Sequence, residues 1–238
     1  MELLEVKGVV KRFGGLTAVD NVDMYVSEGE IVGLIGPNGA GKTTLFGCIA
    51  GYHKISGGEI YFNGRRIDGI PPNKICALGL ARTFQIVKSI TKMTVLENIM
   101  VGAFMTSKYV PQARKKAIEV MDFCGLSHLA GTKAGALTIG DKKRLEVARA
   151  LATNPKMILL DEVMAGLTSK ESQDAVRLIY KMKDSGITVL MVEHVMEIIM
   201  PISDRIIVLD SGVQIAYGTP EEIAKNGRVI EAYLGVAP

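Results

Sequence analysis

The stretch Gly36-Pro37-Asn38-Gly39-Ala40-Gly41-Lys42-Thr43-Thr44 constrains this chain more than any other part of it. It lies between the apolar run Ile31-Val32-Gly33-Leu34-Ile35 and a segment of helical pattern from Lys42, which reads as strand, tight turn and helix N-terminus. Gly36, Gly39 and Gly41 leave no Cβ in the way, so successive backbone N–H groups can turn inward on a polyphosphate. The following helix adds its positive end. In such a loop Lys42 reaches the β- and γ-phosphates and Thr43 ligates Mg²⁺.

A phosphate loop alone implies a nucleotide without saying what is done to it. The second half of a site is supplied by Met157-Ile158-Leu159-Leu160-Asp161-Glu162. An unbroken apolar run of this length reads as a strand buried on both faces of a parallel sheet, and its carboxyl end is where such sheets bind ligands. Asp161 is therefore placed to hold Mg²⁺ opposite Thr43. Glu162, expected to point the other way, can accept a proton from an attacking water. Taken by itself an Asp-Glu pair after a strand is more often a solvated turn; the phosphate loop reverses that reading.

Organisation along the chain supports an α/β fold. Alternating segments at Glu2–Val10 and Val19–Val26, with Gly57–Phe62 later, predict antiparallel strands. Between about 86 and 152 the pattern turns helical, at Val95–Phe104, Gln112–Cys124 and Asp141–Ala152. Strands return at Met157–Leu160, Ile187–Val192 and Ile206–Leu209, with a helix over Ser169–Lys183 between the first two. Parallel strands need such crossovers, so the expectation is a mainly parallel sheet with an antiparallel β lobe and a helical insertion. One further short strand is bounded by Gly212 and Gly218, and Thr219 caps a last helix opened by Pro220.

Composition narrows the class. No apolar run approaches 18 residues, so no segment is expected to span a membrane, and Met1-Glu2-Leu3-Leu4-Glu5 does not read as a secretory leader. Cys48, Cys76 and Cys124 are far apart and odd in number; they read as small buried apolar residues in a reducing compartment. A net charge of +3 is too weak to argue a nucleic-acid partner, and Arg114-Lys115-Lys116 and Lys142-Lys143-Arg144 read as solvated helix faces.

Three further features bear on the activity: Gln85 in Arg82-Thr83-Phe84-Gln85, Leu137-Thr138-Ile139-Gly140-Asp141 opening a helix, and His194 in Met191-Val192-Glu193-His194. With the phosphate loop and the Asp-Glu strand, their order resembles the ATP-binding cassette (ABC) ATPases over essentially the whole chain. The resemblance is closer still to the ATPase subunits of branched-chain amino-acid importers. There Arg12-Phe13-Gly14-Gly15-Leu16, Met93-Thr94-Val95-Leu96-Glu97-Asn98, the run Arg144 to Leu151 and Ala232-Tyr233-Leu234-Gly235 also correspond.

The resemblance implies a single ABC ATPase domain over 1–238. It has a phosphate-loop NTPase core and antiparallel β lobe from 1–85 and 153–238, and a helical subdomain from about 86–152. It implies ATP and Mg²⁺ as ligands, with Gly36 to Thr44 on the phosphates, Phe13 stacked on adenine, and Thr43, Gln85 and Asp161 at the metal. Glu162, Gln85 and His194 are the implied catalytic residues, His194 bonding the γ-phosphate. From residue type alone, Phe13 reads equally well as a core residue, whereas Gln85 reads ordinarily as a loop residue and His194 more often as a structural one. Thr138, Ile139, Gly140 and Asp141 stand where the family carries its signature, which closes in trans over ATP held by a second cassette. The implied partners are that second cassette, membrane permease subunits and a solute-binding protein, with no nucleic acid. The implied place is the cytoplasmic, inner face of the cell membrane.

The chain departs from the family pattern in the signature, usually Leu-Ser-Gly-Gly-Gln, where Ile139 and Asp141 stand instead. A carboxylate near triphosphate repels it, so a weaker partner site is expected. Val163 replaces a proline after Glu162, and Thr168 stands where many members have aspartate. Two other readings stay open: a soluble ABC-type ATPase switch without a transporter, and a regulatory cassette with weak hydrolysis. An importer ATPase needs an apolar groove beside Gln85 for a short helix of the membrane subunit; Ile86, Val87, Ile90 and Met93 are candidates to line it, and core packing explains them equally well.

Overall fold

The structure is a computed structural model that describes residues 2–84 and 89–234. Gln85, Ile86 and Val87 lie outside the described residues. Among the described residues ten strands form two sheets. β1 (Glu2–Phe13), β2 (Leu16–Ser27), β4 (Gly57–Phe62) and β5 (Arg65–Arg66) make an antiparallel sheet in the order β2-β1-β4-β5. The second sheet runs β10-β9-β3-β8-β7-β6, from β3 (Ile31–Ile35), β6 (Leu80–Arg82), β7 (Met157–Asp161), β8 (Thr188–Val192), β9 (Arg205–Asp210) and β10 (Val213–Gly218). All its neighbours are parallel except the β9–β10 pair.

Every residue of β3, β7 and β8 is buried, as their continuous apolar runs require of strands covered on both faces. Alternate side chains enter different cores. Ile31, Ile158, Leu160, Val189, Met191 and Ile206 pack with the helices α3 (Val95–Ala103), α4 (Val110–Phe123), α5 (Ile139–Leu151) and α6 (Ser169–Asp184). Val32, Leu34, Leu159, Leu190 and Ile207 pack with the antiparallel sheet and with Leu45 and Phe46 of α1 (Lys42–Ile49).

Register carries the functional consequence. Leu34 and Asp161 both pair with Val192, so β3, β7 and β8 end level with one another. The phosphate loop, Asp161-Glu162 and Glu193-His194 therefore leave the sheet at one edge, the carboxyl edge where open α/β sheets bind ligands.

The short elements were the ones not read from sequence: β5, β6, α2 (Pro72–Ala77), α7 (Met196–Ile202) and the terminal helix α9 (Gly227–Leu234). Three residues such as β6 carry no periodicity; pairing with β7 is what makes them a strand. Gly218 is the last residue of β10, not a boundary outside it. Thr219 does cap α8 (Pro220–Ala224), accepting the Glu222 N–H while Glu222 accepts the Thr219 N–H.

Candidate nucleotide site

The loop between β3 and α1 is shaped by close approach at its ends. A Cβ on Gly36 would lie 2.0 Å from the Leu209 carbonyl oxygen, and one on Gly41 2.4 Å from that of Ala18. Both glycines have positive φ, 148° and 96°. Gly41 caps α1 without a side-chain hydrogen bond, which leaves the first N–H groups of the helix for an anion. Lys42 is only 5% exposed and folds back over the loop, its Nζ donating to the carbonyls of Gly36 at 2.7 Å and Pro37 at 2.9 Å. Burial lowers its pKa, against the opposing pull of Glu162 and Asp161.

Asp161 ends β7, fully buried. Its Oδ2 accepts from the Arg82 guanidinium at 2.8 Å, while its Oδ1 has no hydrogen-bond partner among the described residues. Burial raises its pKa; Arg82 opposes that. Glu162 is not set by strand alternation, as the sequence suggested: the strand stops at Asp161, and Glu162 takes a left-handed conformation with φ of 51°. That turn swings its carboxylate to His194, with Oε1 and Nε2 2.5 Å apart.

The turn is clamped from both sides. Lys143 of α5 donates to the carbonyls of Glu162 at 2.9 Å and Ala165 at 2.6 Å, so the Lys142-Lys143-Arg144 run is half-buried and structural, not a solvated face. Glu193, fully buried, accepts the Met164 N–H at 2.8 Å. Burial pushes the Glu193 carboxyl up to about 6 from the usual 4.5. The charged form is thus disfavoured on folding: the penalty is absent below pH 4.5, grows through pH 6 and is complete above it. A rise of this size corresponds to about 2 kcal/mol. Glu193→Gln, which keeps an acceptor for Met164, is expected to stabilise the protein by up to about 2 kcal/mol at pH 8 and to have little effect at pH 4.5. Thermal unfolding at the two pH values checks this; equal shifts at both would show that the Glu193 charge is not the cause.

Residues 39–44 of the loop share a cleft of about 370 Å³ with Phe13, Leu16, Ala18, Asn38, Glu162 and His194. Phe13 is half-exposed at the end of β1, its ring edge-on to His53 at 5.4 Å and 4.4 Å from the Lys11 ammonium. An exposed aromatic ring beside a phosphate loop offers a flat surface for a base. Thr138, Ile139, Gly140 and Asp141 do not line this cleft.

At that second locus Thr138 caps α5 and accepts the Asp141 N–H at 3.1 Å; its own hydroxyl donates to Asp141 Oδ2 at 2.8 Å. The carboxylate read from sequence as a repulsive charge is thus held in the first helical turn, beside the positive end of the dipole. Ile139 is exposed, and a Cβ on Gly140 would lie 2.3 Å from Glu171 Oε1. Thr168 also caps a helix, exchanging hydrogen bonds with Glu171 at the start of α6. Aspartate is also a favoured N-cap, so either residue can start this helix.

Residues 19–165 match the ABC transporter family. The chain belongs to that family. Residues 213–238 match a second family, branched-chain amino acid ATP-binding cassette transporter. The chain is 42% identical to the high-affinity branched-chain amino acid transport ATP-binding protein BraF of Pseudomonas aeruginosa, over 99% of this chain and 98% of that one. It is 43% identical to LivG of Salmonella typhimurium with the same coverage. Among solved structures, a nucleotide-free ATP-binding cassette from an ABC transporter superposes with a TM-score of 0.91 at 34% identity, covering 99% of this chain and 100% of that one. The ADP conformation of an ATP-binding cassette superposes with a TM-score of 0.90. The ABC ATPase fold expected from sequence is thus observed, and the family hydrolyses ATP in step with transport.

Three residues of this cassette's site were missed in the sequence: Arg82, Lys143 and Glu193. Each stands within a stretch named above without a role of its own, and each acts through a partner remote in sequence: Asp161, the Glu162–Ala165 turn and Met164. Of the residues expected to line a groove beside Gln85, Ile86 and Val87 lie outside the described residues. A cleft of about 530 Å³ is walled by Tyr52, Arg82, Phe84, Val101 and Met105 with Glu146 and Arg149, and neither Ile90 nor Met93 lines it. Ile90 is instead tied by its backbone to the Asn98 side chain. Cys48 and Cys124 are buried free thiols, as expected; Cys76 is half-buried on the groove.

Proposed function

We propose that this cassette is the ATP-hydrolysing subunit of an importer for branched-chain amino acids. The observation that carries the reading is the single cleft joining the Lys42 loop to Glu162 and His194, in a chain aligned almost end to end with transport ATP-binding proteins of that class. In this reading the N–H groups of residues 38–44 cradle the phosphates and Lys42 leaves its carbonyl partners for the β/γ-phosphate oxygens. Glu162 accepts a proton from the attacking water, and His194, bonded to Glu162, turns to the γ-phosphate. Phe13 stacks on the base.

The residues fit Mg²⁺. Asp161 Oδ1 is a buried oxygen without a partner among the described residues, and the Thr43 hydroxyl lines the cleft. Thr43 and Asp161, with Gln85 beyond the described residues, are the proposed holders of the ion, which when bound neutralises charge on the phosphate oxygens.

The signature segment Thr138–Asp141 lies away from this cleft, which supports a second cassette completing each site in trans. The division into a nucleotide core with β lobe and a helical subdomain between them is supported by α3, α4 and α5 following one another between β6 and β7. No helix among the described residues is long and apolar enough to cross a membrane. Transport is therefore assigned to permease subunits docked at the groove of Tyr52, Phe84, Val101 and Met105, with a solute-binding protein in the full system. The cassette is proposed to lie at the cytoplasmic, inner face of the membrane. Purification from detergent-solubilised membranes is expected to bring down a multi-spanning protein, and that complex to hydrolyse ATP several-fold faster than the isolated cassette. Failure to co-purify such a protein would favour a soluble switch.

A further inference from the structure

Arg82 is the last residue of β6, and its side chain touches two places that the proposed function keeps apart. At one end its guanidinium holds Asp161 at 2.8 Å, with 10% and 0% of the two side chains exposed. At the other, its guanidinium carbon lies 5.6 Å from the rings of both Tyr52 and Phe84 and 5.9 Å from that of Phe46. Tyr52 and Phe84 meet edge to face at 5.5 Å and, with Arg82, wall the groove. The Arg82 Nε–H, buried on that wall, has no acceptor among the described residues. Phe84 is anchored in turn to α5, its N–H donating to Glu146 Oε1 at 2.9 Å.

We infer that Arg82 is a positioning residue for Asp161 and transmits occupancy of the groove to the carboxylate proposed to hold the metal. The inference rests on the permease-docking reading above. By engaging Oδ2, the guanidinium fixes the plane of the carboxylate and leaves Oδ1 as the unused oxygen. Aromatic rings on its remaining sides keep the ion pair in a poorly polarisable pocket, where its strength depends on how much water reaches it. A helix seated on Tyr52 and Phe84 excludes that water, tightens the pair and stiffens Asp161; an empty groove lets it loosen. A planar, stacked guanidinium suits this place and an ammonium does not.

The test compares Arg82→Gln, Arg82→Lys and Tyr52→Leu, the last in the groove wall outside the nucleotide cleft. Calorimetry on the isolated cassette reads ATP affinity with and without Mg²⁺; turnover of the purified complex with its permease reads stimulation. Arg82→Gln is expected to keep the metal-free ATP affinity and lose three- to tenfold of the gain that Mg²⁺ brings, Arg82→Lys recovering only part of it. Tyr52→Leu, which removes one of the rings beside the pair, should lose part of the magnesium gain in the isolated cassette and at least half of the stimulation. A parental magnesium gain in Arg82→Gln overturns the inference. If that variant does not fold, Arg82→Lys decides, and parental magnesium gain with parental stimulation overturns it. If the unmodified cassette is not stimulated at all, the docking reading fails, whatever the calorimetry of the variants shows.

Discussion

Glu162→Gln is expected to cut ATP turnover by about 10²- to 10⁴-fold, the ordinary worth of a positioned general base, while leaving ATP binding within a few-fold of the parent. Glutamine matches glutamate in size and still accepts a hydrogen bond from His194, so the left-handed turn at Glu162 and its clamping by Lys143 are kept. What is lost is the basic oxygen. Because bound ATP then persists, it stabilises any assembly that requires it, and cassettes are expected to remain paired in the presence of MgATP. Single-turnover hydrolysis and sedimentation of the variant check both parts. Hydrolysis at the parental rate would show that another group takes the proton.

Lys42→Ala is expected to lower ATP affinity at least tenfold, about 1.4 kcal/mol or more. The buried ammonium sits between the Gly36 and Pro37 carbonyls and lines the cleft with the rest of the loop. Without it the phosphates lose the cation proposed to move onto their oxygens. Titration calorimetry of MgATP reads the loss directly, and unchanged affinity would remove the phosphate-loop reading. Circular dichroism and the midpoint of thermal unfolding separate loss of binding from loss of fold.

The parts of the molecule that were legible in advance are those in which one local pattern carries the whole instruction. Ile31–Ile35 and Met157–Asp161 are buried on both faces and read so from their unbroken apolar runs. Ser169–Asp184 carries its capping box and its apolar stripe in its own sequence. The phosphate loop was legible from its residue types and spacing alone, although the close contacts that Gly36 and Gly41 answer are with Leu209 and Ala18, remote in sequence. What stayed hidden depends on pairs remote in sequence. Arg82 and Asp161 are 79 residues apart, and Met164 and Glu193 are 29 apart. Nothing in the local pattern of either partner marks it. The same holds for Lys143, one member of a basic run that reads as solvated until the turn after Glu162 is folded over it. At Glu162 the strand has already ended, and a positive φ, invisible to periodicity, helps set the side chain.

Uptake of labelled leucine into vesicles carrying the cassette, its permease and its binding protein tests the account most directly, with MgATP supplied only on the cassette side. The account expects accumulation that requires ATP, stops with Glu162→Gln and stops with Lys42→Ala. Accumulation that persists in both variants, or hydrolysis of ATP without leucine uptake in the complete assembly, would contradict it.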